Sequence, residues 1–265
     1  MTTVHTLASG SSGNALLFSW EDTHILVDAG ISCRRITTAL KALGLSLRDV
    51  DGLFITHSHS DHISGLQTLL KHSDFPIFGS GRTCRELEYR CAGISGRLCP
   101  LEMMVPQPLG GCTLTPFPTS HDCPGSCGCR IDSPGGSLGL LTDTGYVTKE
   151  AREVLPGVEL MVLEANHDVE AVRSGPYPYY LKARILGSEG HLCNEDAARF
   201  AVELAEKGTL ELILAHLSQE NNTPAQAKNA VERALEAAEL FPLLSVAPRH
   251  EPSAPHIIQE AVCRK

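Results

Sequence analysis

Residues 56–62 read THSHSDH and concentrate side chains that bind metal ions: three histidines and one aspartate lie within six residues. Zinc favours histidine nitrogen and carboxylate oxygen, and two histidines spaced two apart on an extended backbone point the same way. His57 and His59 can therefore share one ion, whereas Asp61 and His62 are adjacent and cannot easily join it. The run predicts two metal ions side by side, each held by part of the motif.

The remaining ligands must come from elsewhere in the chain. His121, Asp143 and His216 each lie just beyond a predicted strand and are flanked by turn-forming or polar residues. A lone histidine at a strand end is usually a hydrogen-bonded residue of the surface or the core. The presence of the THSHSDH run favours the interpretation of all three as ligands.

The composition is that of a globular protein with a sizeable core: 42% of the 265 residues are hydrophobic and 20% are charged. We predict one domain over residues 1–265. The net charge of −9 argues against a uniformly basic nucleic-acid binder, but not against an enzyme that holds phosphates through divalent cations. We see no secretion signal or membrane-spanning run, and we expect a cytoplasmic protein, without membrane contact, whose ten cysteines are reduced.

Alternating strand and helix patterns must position these residues. Short apolar strands are predicted just before Asp28, the THSHSDH run, Asp143 and His216. Helices are predicted over residues 33–43, 63–71, 82–90 and 194–207, and from a cap at Thr223 to about Leu240. Polar residues at the ends of several strands converge at one edge of a layered fold, so the pattern predicts an α/β (α+β) architecture with a site at that edge.

The segment HSHSDH resembles the HxHxDH signature of the metallo-β-lactamase superfamily, and other residues match that family's remaining motifs in order. The resemblance implies a ligand set in three parts: His57, His59 and His121 for one ion, Asp61, His62 and His216 for the other, and Asp143 as the bridge. Asp28 would orient a ligand histidine by a hydrogen bond from outside this set. The fold implied is a four-layer αββα sandwich.

Four further segments resemble the YycJ (WalJ) group of bacterial metallo-hydrolases: LASGSSGNA, EANHDVE, GHLCNEDAA and AHLSQENNTPAQA. The resemblance covers nearly the whole chain and implies a nuclease, with 5′-to-3′ exonuclease action on DNA as the leading activity. Its nucleophile would be a hydroxide that bridges the two ions, with Asp61 orienting the attacking water. Zinc is the expected metal, and manganese or iron are alternatives because oxygen ligands contribute.

His191 supports a phosphodiesterase independently. The segment GHLCNEDAARFA resembles a motif that tRNA 3′-processing enzymes of the superfamily place beside their metals. His191 lies just before a predicted helix N-terminus, where it could donate a proton to a leaving oxygen while backbone N–H groups face a phosphate. The competing interpretation is that His191 only helps the chain to enter the helix.

Two polar segments are candidates for holding the substrate phosphate. The residues concerned are Ser9, Ser11, Ser12 and Asn14 in the segment SGSSGN, and Ser218, Asn221 and Asn222 after the last ligand. Their backbone and side-chain donors suit phosphate oxygens. A plain hairpin turn and a polar turn before Thr223 are the competing interpretations.

Other functions use the same ligands. A thioester or small-ester hydrolase of the glyoxalase type would have no need of an acid at His191, and an RNA-processing nuclease would take RNA instead of DNA. A β-lactamase is discounted because no export signal is visible. The full ligand set argues against a non-catalytic protein that keeps only the fold.

A cysteine cluster departs from the family pattern. Cys123, Cys127 and Cys129 follow His121 closely, and three thiols could bind an additional zinc ion or make the protein sensitive to oxidation. We expect reduced loop residues instead.

His167 is expected to be structural or to line the cleft. The cations Arg173, Lys182 and Arg184 could contact a nucleic-acid backbone, although a solvated face is the commoner explanation.

Overall fold

Strands in the first part of the chain carry apolar side chains on both faces, as the consecutive buried residues Leu16, Leu17 and Phe18 show. A sheet built from such strands must be covered on both sides. The structure is a computed structural model that describes residues 1–258, and two seven-stranded sheets pack face to face within it.

The strands, in chain order, are β1 (Thr2–Ala8), β2 (Ala15–Trp20), β3 (Thr23–Val27), β4 (Gly52–Phe54), β5 (Ile77–Ser80), β6 (Leu98–Leu101), β7 (Gln107–Leu109), β8 (Cys112–Pro118), β9 (Cys127–Ser133), β10 (Gly136–Leu141), β11 (Leu160–Glu164), β12 (Glu211–Ala215), β13 (Leu243–Val246) and β14 (His256–Ile258). The α-helices are α1 (Cys33–Ala42), α2 (Ser60–Ile63), α3 (Leu66–Leu69), α4 (Gly81–Arg90), α5 (Lys149–Val154), α6 (Val169–Ser174), α7 (Tyr179–Ile185), α8 (Asn194–Glu206) and α9 (Pro224–Ala237). Short 3₁₀ turns span Leu47–Asp49 and Ser95–Arg97.

Each sheet is partly antiparallel and partly parallel. The strand orders are β14-β1-β2-β3-β4-β5-β6 and β13-β12-β11-β10-β9-β8-β7. Neighbours from β3 to β6 are parallel, and so are neighbours from β10 to β13. Since parallel strands end at a common edge, the residues after β3 and β4 meet in one sheet, and those after β10, β11 and β12 meet in the other.

Three apolar clusters separate four layers. Phe18 and Ile131 belong to the cluster between the two sheets. Leu17, which points the opposite way from Phe18 because strand side chains alternate, packs with Leu40 of α1 in the cluster that α1, α3 and α4 cover. Phe200 of α8 belongs to the cluster that α5, α8 and α9 cover on the second sheet. The predicted fold class, a four-layer αββα sandwich, is confirmed.

The helix predicted over residues 63–71 is interrupted, and this prediction was wrong. The structure has α2 and α3 there, separated at Ser64 and Gly65. A Cβ on Gly65 would lie 2.0 Å from the backbone oxygen of Ile31, and the Gly65 N–H donates to the Ala29 oxygen at 2.8 Å. The break therefore lets the metal-binding motif pack directly against the loop that follows β3.

No helix among residues 1–258 has the length and apolarity needed to cross a bilayer.

Candidate metal centre

Strand ends deliver the predicted ligands to one edge of the sandwich. The motif of residues 56–62 follows β4, and α2 carries Asp61 and His62. Asp28, Asp143 and His216 follow β3, β10 and β12, and their φ angles are +60°, +57° and +56°. This left-handed conformation costs L-residues roughly 1–2 kcal/mol each and is concentrated at functional sites. Asp28 and His216 come directly after β3 and β12, and Asp143 lies two residues after the end of β10.

Three histidines form the first ligand cluster. The Nδ1 atom of His59 lies 3.2 Å from Nε2 of His57 and 3.2 Å from Nε2 of His121. Ring nitrogens that converge in this way, one from each of three histidines, form a set that a zinc-like ion can join. The structure thus brings together the three residues that the family resemblance assigns to one ion.

The second cluster consists of Asp61, His62 and His216. The Oδ2 atom of Asp61 lies 3.4 Å from Nε2 of His62 and 3.3 Å from Nε2 of His216. These atoms also lie close enough together to hold one ion. This grouping again matches the assignment made from the resemblance.

Asp143 lies between the clusters. Its Oδ2 is 3.2 Å from Nε2 of His62, and its Oδ1 is 3.6 Å from Nε2 of both His121 and His216. Within residues 1–258, Asp143 Oδ2 is buried and has no hydrogen-bond partner. A buried carboxylate oxygen without a partner is costly, and a cation on each side would remove that cost. The residues present therefore fit a pair of divalent ions bridged by Asp143.

Acceptors behind the histidines orient them. Asp28 Oδ2 accepts from Nδ1 of His62 at 2.7 Å, while Oδ1 of Asp28 accepts from the backbone N–H of Thr56 at 2.9 Å. The Gly190 carbonyl accepts from Nδ1 of His121 at 3.1 Å. With Nδ1 protonated and held, Nε2 of each ring offers its lone pair to the site.

Glu164 is the functional residue that sequence reasoning missed. It ends β11, is completely buried, and its Oε1 lies 3.0 Å from Nδ1 of His216 and 2.8 Å from Nδ1 of His191. Its other oxygen accepts from the backbone N–H of Thr144 at 3.0 Å. An available signal was its position, since Glu164 ends a buried apolar strand just as Asp28 follows one.

Negative charge is concentrated at this edge. Burial would lower the pKa of His216, but Asp143 and the hydrogen bond to Asp61 raise it to about 10. Burial would likewise raise the pKa of Asp143, but His216 and His62 hold it well below the usual range. Asp143 is therefore ionised, and the excess of carboxylates favours bound cations.

His191 lies beside the ligands and reaches the cleft. Its Nδ1 is bound to Glu164 and is 3.8 Å from Oδ1 of Asp143. The side chain is 23% exposed, so the ring is accessible on the side away from Glu164. His191 thus combines a fixed orientation with access to a substrate.

The turn of residues 9–14 braces the motif. The amide nitrogen of Asn14 lies 3.1 Å from Nε2 of His62 and 3.4 Å from Oδ2 of Asp61, and the hydroxyl of Ser9 accepts from the His216 N–H at 2.8 Å. Ser9 and Asn14 therefore support the ligands. Ser11 and Ser12 are exposed at the tip of the turn, and Ser11 also lines the cleft beside His191.

The phosphate contacts predicted for Asn221 and Asn222 are not supported by the structure. Both side chains are buried. The amide nitrogen of Asn222 donates to the oxygens of Ala165 and Asn194, both at 2.9 Å, and Asn221 donates to Ser218 at 3.3 Å. Ser218 alone of these three lines the cleft.

The cysteines after His121 are core residues rather than a metal site. Cys127 and Cys129 lie in β9, not in a loop as expected, and both are buried between the sheets. Burial raises the pKa of the Cys127 thiol, which donates to the Thr56 carbonyl at 3.2 Å. Within the described part of the chain, no cysteine joins a cluster able to hold a metal.

His167 is also buried, and burial lowers its pKa to about 4, consistent with a structural role.

Asp28→Asn is expected to weaken metal binding roughly 10- to 100-fold, the usual effect of losing an acceptor behind a ligand histidine. The amide keeps the shape of Asp28 but lacks the charge that holds Nδ1–H of His62. Competition with a chelating indicator measures the affinity. Asp132→Asn, on the surface of β9, is the matched control, and equal affinity in both variants would contradict the role of Asp28.

Comparisons with known proteins agree with this geometry. Residues 23–217 match the family described as Beta-lactamase superfamily domain. The exodeoxyribonuclease YycJ of Bacillus anthracis is 36% identical over 231 residues, which are 87% of this chain and 88% of that protein. The exodeoxyribonuclease WalJ of Streptococcus pneumoniae serotype 2 is 36% identical over 237 residues, 88% of each chain. The crystal structure of the metallo-β-lactamase fold protein YhfI from Bacillus subtilis matches this structure with a TM-score of 0.71 at 17% identity. The match covers 96% of this chain and 100% of that one and shows that the two folds are similar.

Proposed function

The chain belongs to the β-lactamase superfamily and to its YycJ/WalJ group of metal-dependent hydrolases, and we propose that it is a dinuclear phosphodiesterase that degrades DNA as a 5′-to-3′ exonuclease. The observation that carries the proposal is the placement of His191: Glu164 holds its ring beside both ligand clusters, and His191 is not one of the seven ligands that the family resemblance assigns. A thioester has a good leaving group and needs no such acid, whereas a phosphodiester does.

The proposed ligands are the seven residues of the two clusters and the bridge: His57, His59, His121, Asp61, His62, His216 and Asp143. Two bound divalent ions would lower the pKa of water and neutralise charge on the phosphate oxygens. Zinc suits this mixture of nitrogen and oxygen donors, and manganese and iron are the alternatives.

Two side chains of the protein would then take part in the reaction: Asp61 would orient the attacking water, and His191 would protonate the leaving oxygen. Hydrolysis joins a water oxygen to phosphorus, with one proton of that water passing to solvent, and breaks the ester bond to the leaving oxygen. Asp61, whose Oδ2 faces His62 and His216, has its second oxygen left to orient the water. His191, whose Nδ1 is bound to Glu164, has Nε2 left to give its proton to the leaving oxygen and later to regain one from solvent.

Metal-replete protein is expected to degrade DNA that carries a label at its 5′ end, and to release that label first. Chelators should abolish the activity, and raising the salt from about 50 to 200 mM should reduce it because phosphate contacts are lost. The assay compares single- and double-stranded DNA and RNA with S-lactoylglutathione. Cleavage of RNA alone would contradict the choice of DNA, and cleavage of S-lactoylglutathione alone would establish a thioesterase instead.

A further inference from the structure

A cavity of about 190 Å³ lies beside His191, and the proposed chemistry leaves it without a role. His191 and Ser218 lie on one side of it, and Ser11, from the turn between β1 and β2, lies at its rim. The other side is formed by Tyr177, Leu181 and Ile185. The cavity therefore has one polar side next to the metal centre and one largely apolar side away from it.

The apolar side is a single face of α7 and the residues before it. Leu181 and Ile185 are four residues apart in α7 and so lie on one face of the helix, whereas Tyr177 precedes the helix by two residues and lines the same cavity. All three are half-buried, and α7 contains no fully buried residue. This helix therefore contributes nothing to the cores of the sandwich, and its apolar face covers the cavity alone.

Backbone contacts fix the position of the C-terminal end of α7, which lies next to His191. The N–H of His191 donates to the carbonyl of Ile185 at 3.2 Å, and the N–H of Asp122 donates to the carbonyl of Glu189 at 3.1 Å. A Cβ on Gly190 would lie 2.2 Å from the Ile185 oxygen, so the backbones are in direct contact. The distance from the helix face to His191 is thus set by backbone contacts.

The polar groups around the cavity offer hydrogen bonds. Ser218 Oγ accepts from the backbone N–H of Asn221 at 3.2 Å and from its amide at 3.3 Å, so its own hydrogen is free to be donated. Arg184 lies at the mouth, paired with Asp122, and its side chain is 57% exposed. A guanidinium that binds a carboxylate through Nε keeps further donors for a phosphate.

We infer that this cavity binds the base of the nucleotide that is being released, with Tyr177 stacked on the base and Arg184 close to its phosphate. The inference rests on the proposed function, because the acid His191 must lie on the side of the leaving oxygen. The nucleotide next to His191 is then the one that leaves. A cavity of roughly 150 Å³ is known to accept benzene, so this one has room for a single base.

The size of the cavity has a consequence for the substrate. A base enters such a site only when it is unpaired and unstacked, so the substrate is a single-stranded end or one that frays. Since one base fills the cavity, cleavage releases one nucleotide at a time. The apolar face of α7 and the adjacent tyrosine thus select a DNA end over the interior of a duplex.

The test compares hydrolysis of a single-stranded DNA oligonucleotide with that of bis-para-nitrophenyl phosphate, which has no base. Tyr177→Ala is expected to raise the KM for DNA roughly 10- to 100-fold, the effect of removing one ring that stacks on a base. Tyr177→Phe should restore it. Leu181→Trp, which fills the cavity from the exposed helix, should reduce kcat/KM for DNA at least about tenfold more than for the small ester.

Tyr89→Ala, on the exposed face of α4, is the matched control and should behave as the wild type. Chromatography of the wild-type products should show mononucleotides from the start of the reaction. Long first products, or Tyr177→Ala and Leu181→Trp variants that match Tyr89→Ala on DNA, would overturn the cavity assignment while the nuclease proposal stands. A wild-type protein that hydrolyses the small ester but no nucleic acid would overturn both.

Discussion

Asp143→Ala is expected to remove both metal ions and to reduce DNA hydrolysis by at least roughly 10³-fold, since two ions supply several kcal/mol of transition-state stabilisation. Asp143 is the residue whose carboxylate faces both clusters, with Oδ2 near His62 and Oδ1 near His121 and His216. Its loss leaves each ion one ligand short and removes the negative charge between two cations. Elemental analysis after dialysis against metal-free buffer measures the ions, and release of labelled nucleotide measures the rate.

Asp132→Ala provides the control for Asp143→Ala because it removes a carboxylate of β9 that is paired with Arg130 and belongs to neither cluster. It should keep about two ions per chain. Asp143→Asn should be intermediate, since the amide retains one oxygen for coordination. An Asp143→Ala protein that keeps both ions and its full activity would show that the bridge has been assigned to the wrong residue.

His191→Ala is expected to reduce DNA hydrolysis roughly 10²- to 10⁴-fold, the usual contribution of a general acid, without loss of metal. The leaving oxygen of DNA is an alkoxide, which needs a proton at neutral pH. The leaving group of bis-para-nitrophenyl phosphate needs little protonation. The variant should therefore lose much more activity on DNA than on the ester, and rates on both substrates at matched metal content measure the difference.

His72→Ala, at an exposed position after α3, is the matched control for His191→Ala. Equal losses on the two substrates would make His191 a positioning residue. Loss of bound metal would make it a ligand, since His191, Glu164, Asp143 and His216 lie close enough together to hold an ion.

The long amphipathic helices were predicted closely from the sequence. The helices predicted over 33–43, 82–90 and 194–207 are α1, α4 and α8, and their ends differ by at most one residue. Their apolar period and caps are local, so they need no knowledge of the rest of the fold. The break at Gly65 was missed because its cause, contact with Ile31, lies more than thirty residues away in the chain.

The metal-binding residues could be predicted where they lie close together in the sequence, as His57, His59, Asp61 and His62 do. Asp28, Asp143 and His216 could be predicted because they follow strands that end at the same edge. Glu164 was missed because its partners, His191 and His216, are brought to it only by the folded second sheet. Asn222 was misjudged for the same reason, since a polar residue after a strand can bond inward as well as outward.

The metal centre draws on both sheets, and this has a consequence for the unfolding of the protein. Asp28 and the motif of residues 56–62 belong to the first sheet, whereas Asp143, Glu164 and His216 belong to the second. Ions bound between these residues would connect the two sheets, so we expect metal binding to raise the thermal stability. Once free metal exceeds its dissociation constant, each further tenfold rise in its concentration adds about 1.4 kcal/mol per bound ion to the free energy of unfolding. Without the ions this link between the sheets is absent, so the metal-free protein should unfold at a lower temperature than the metal-loaded protein.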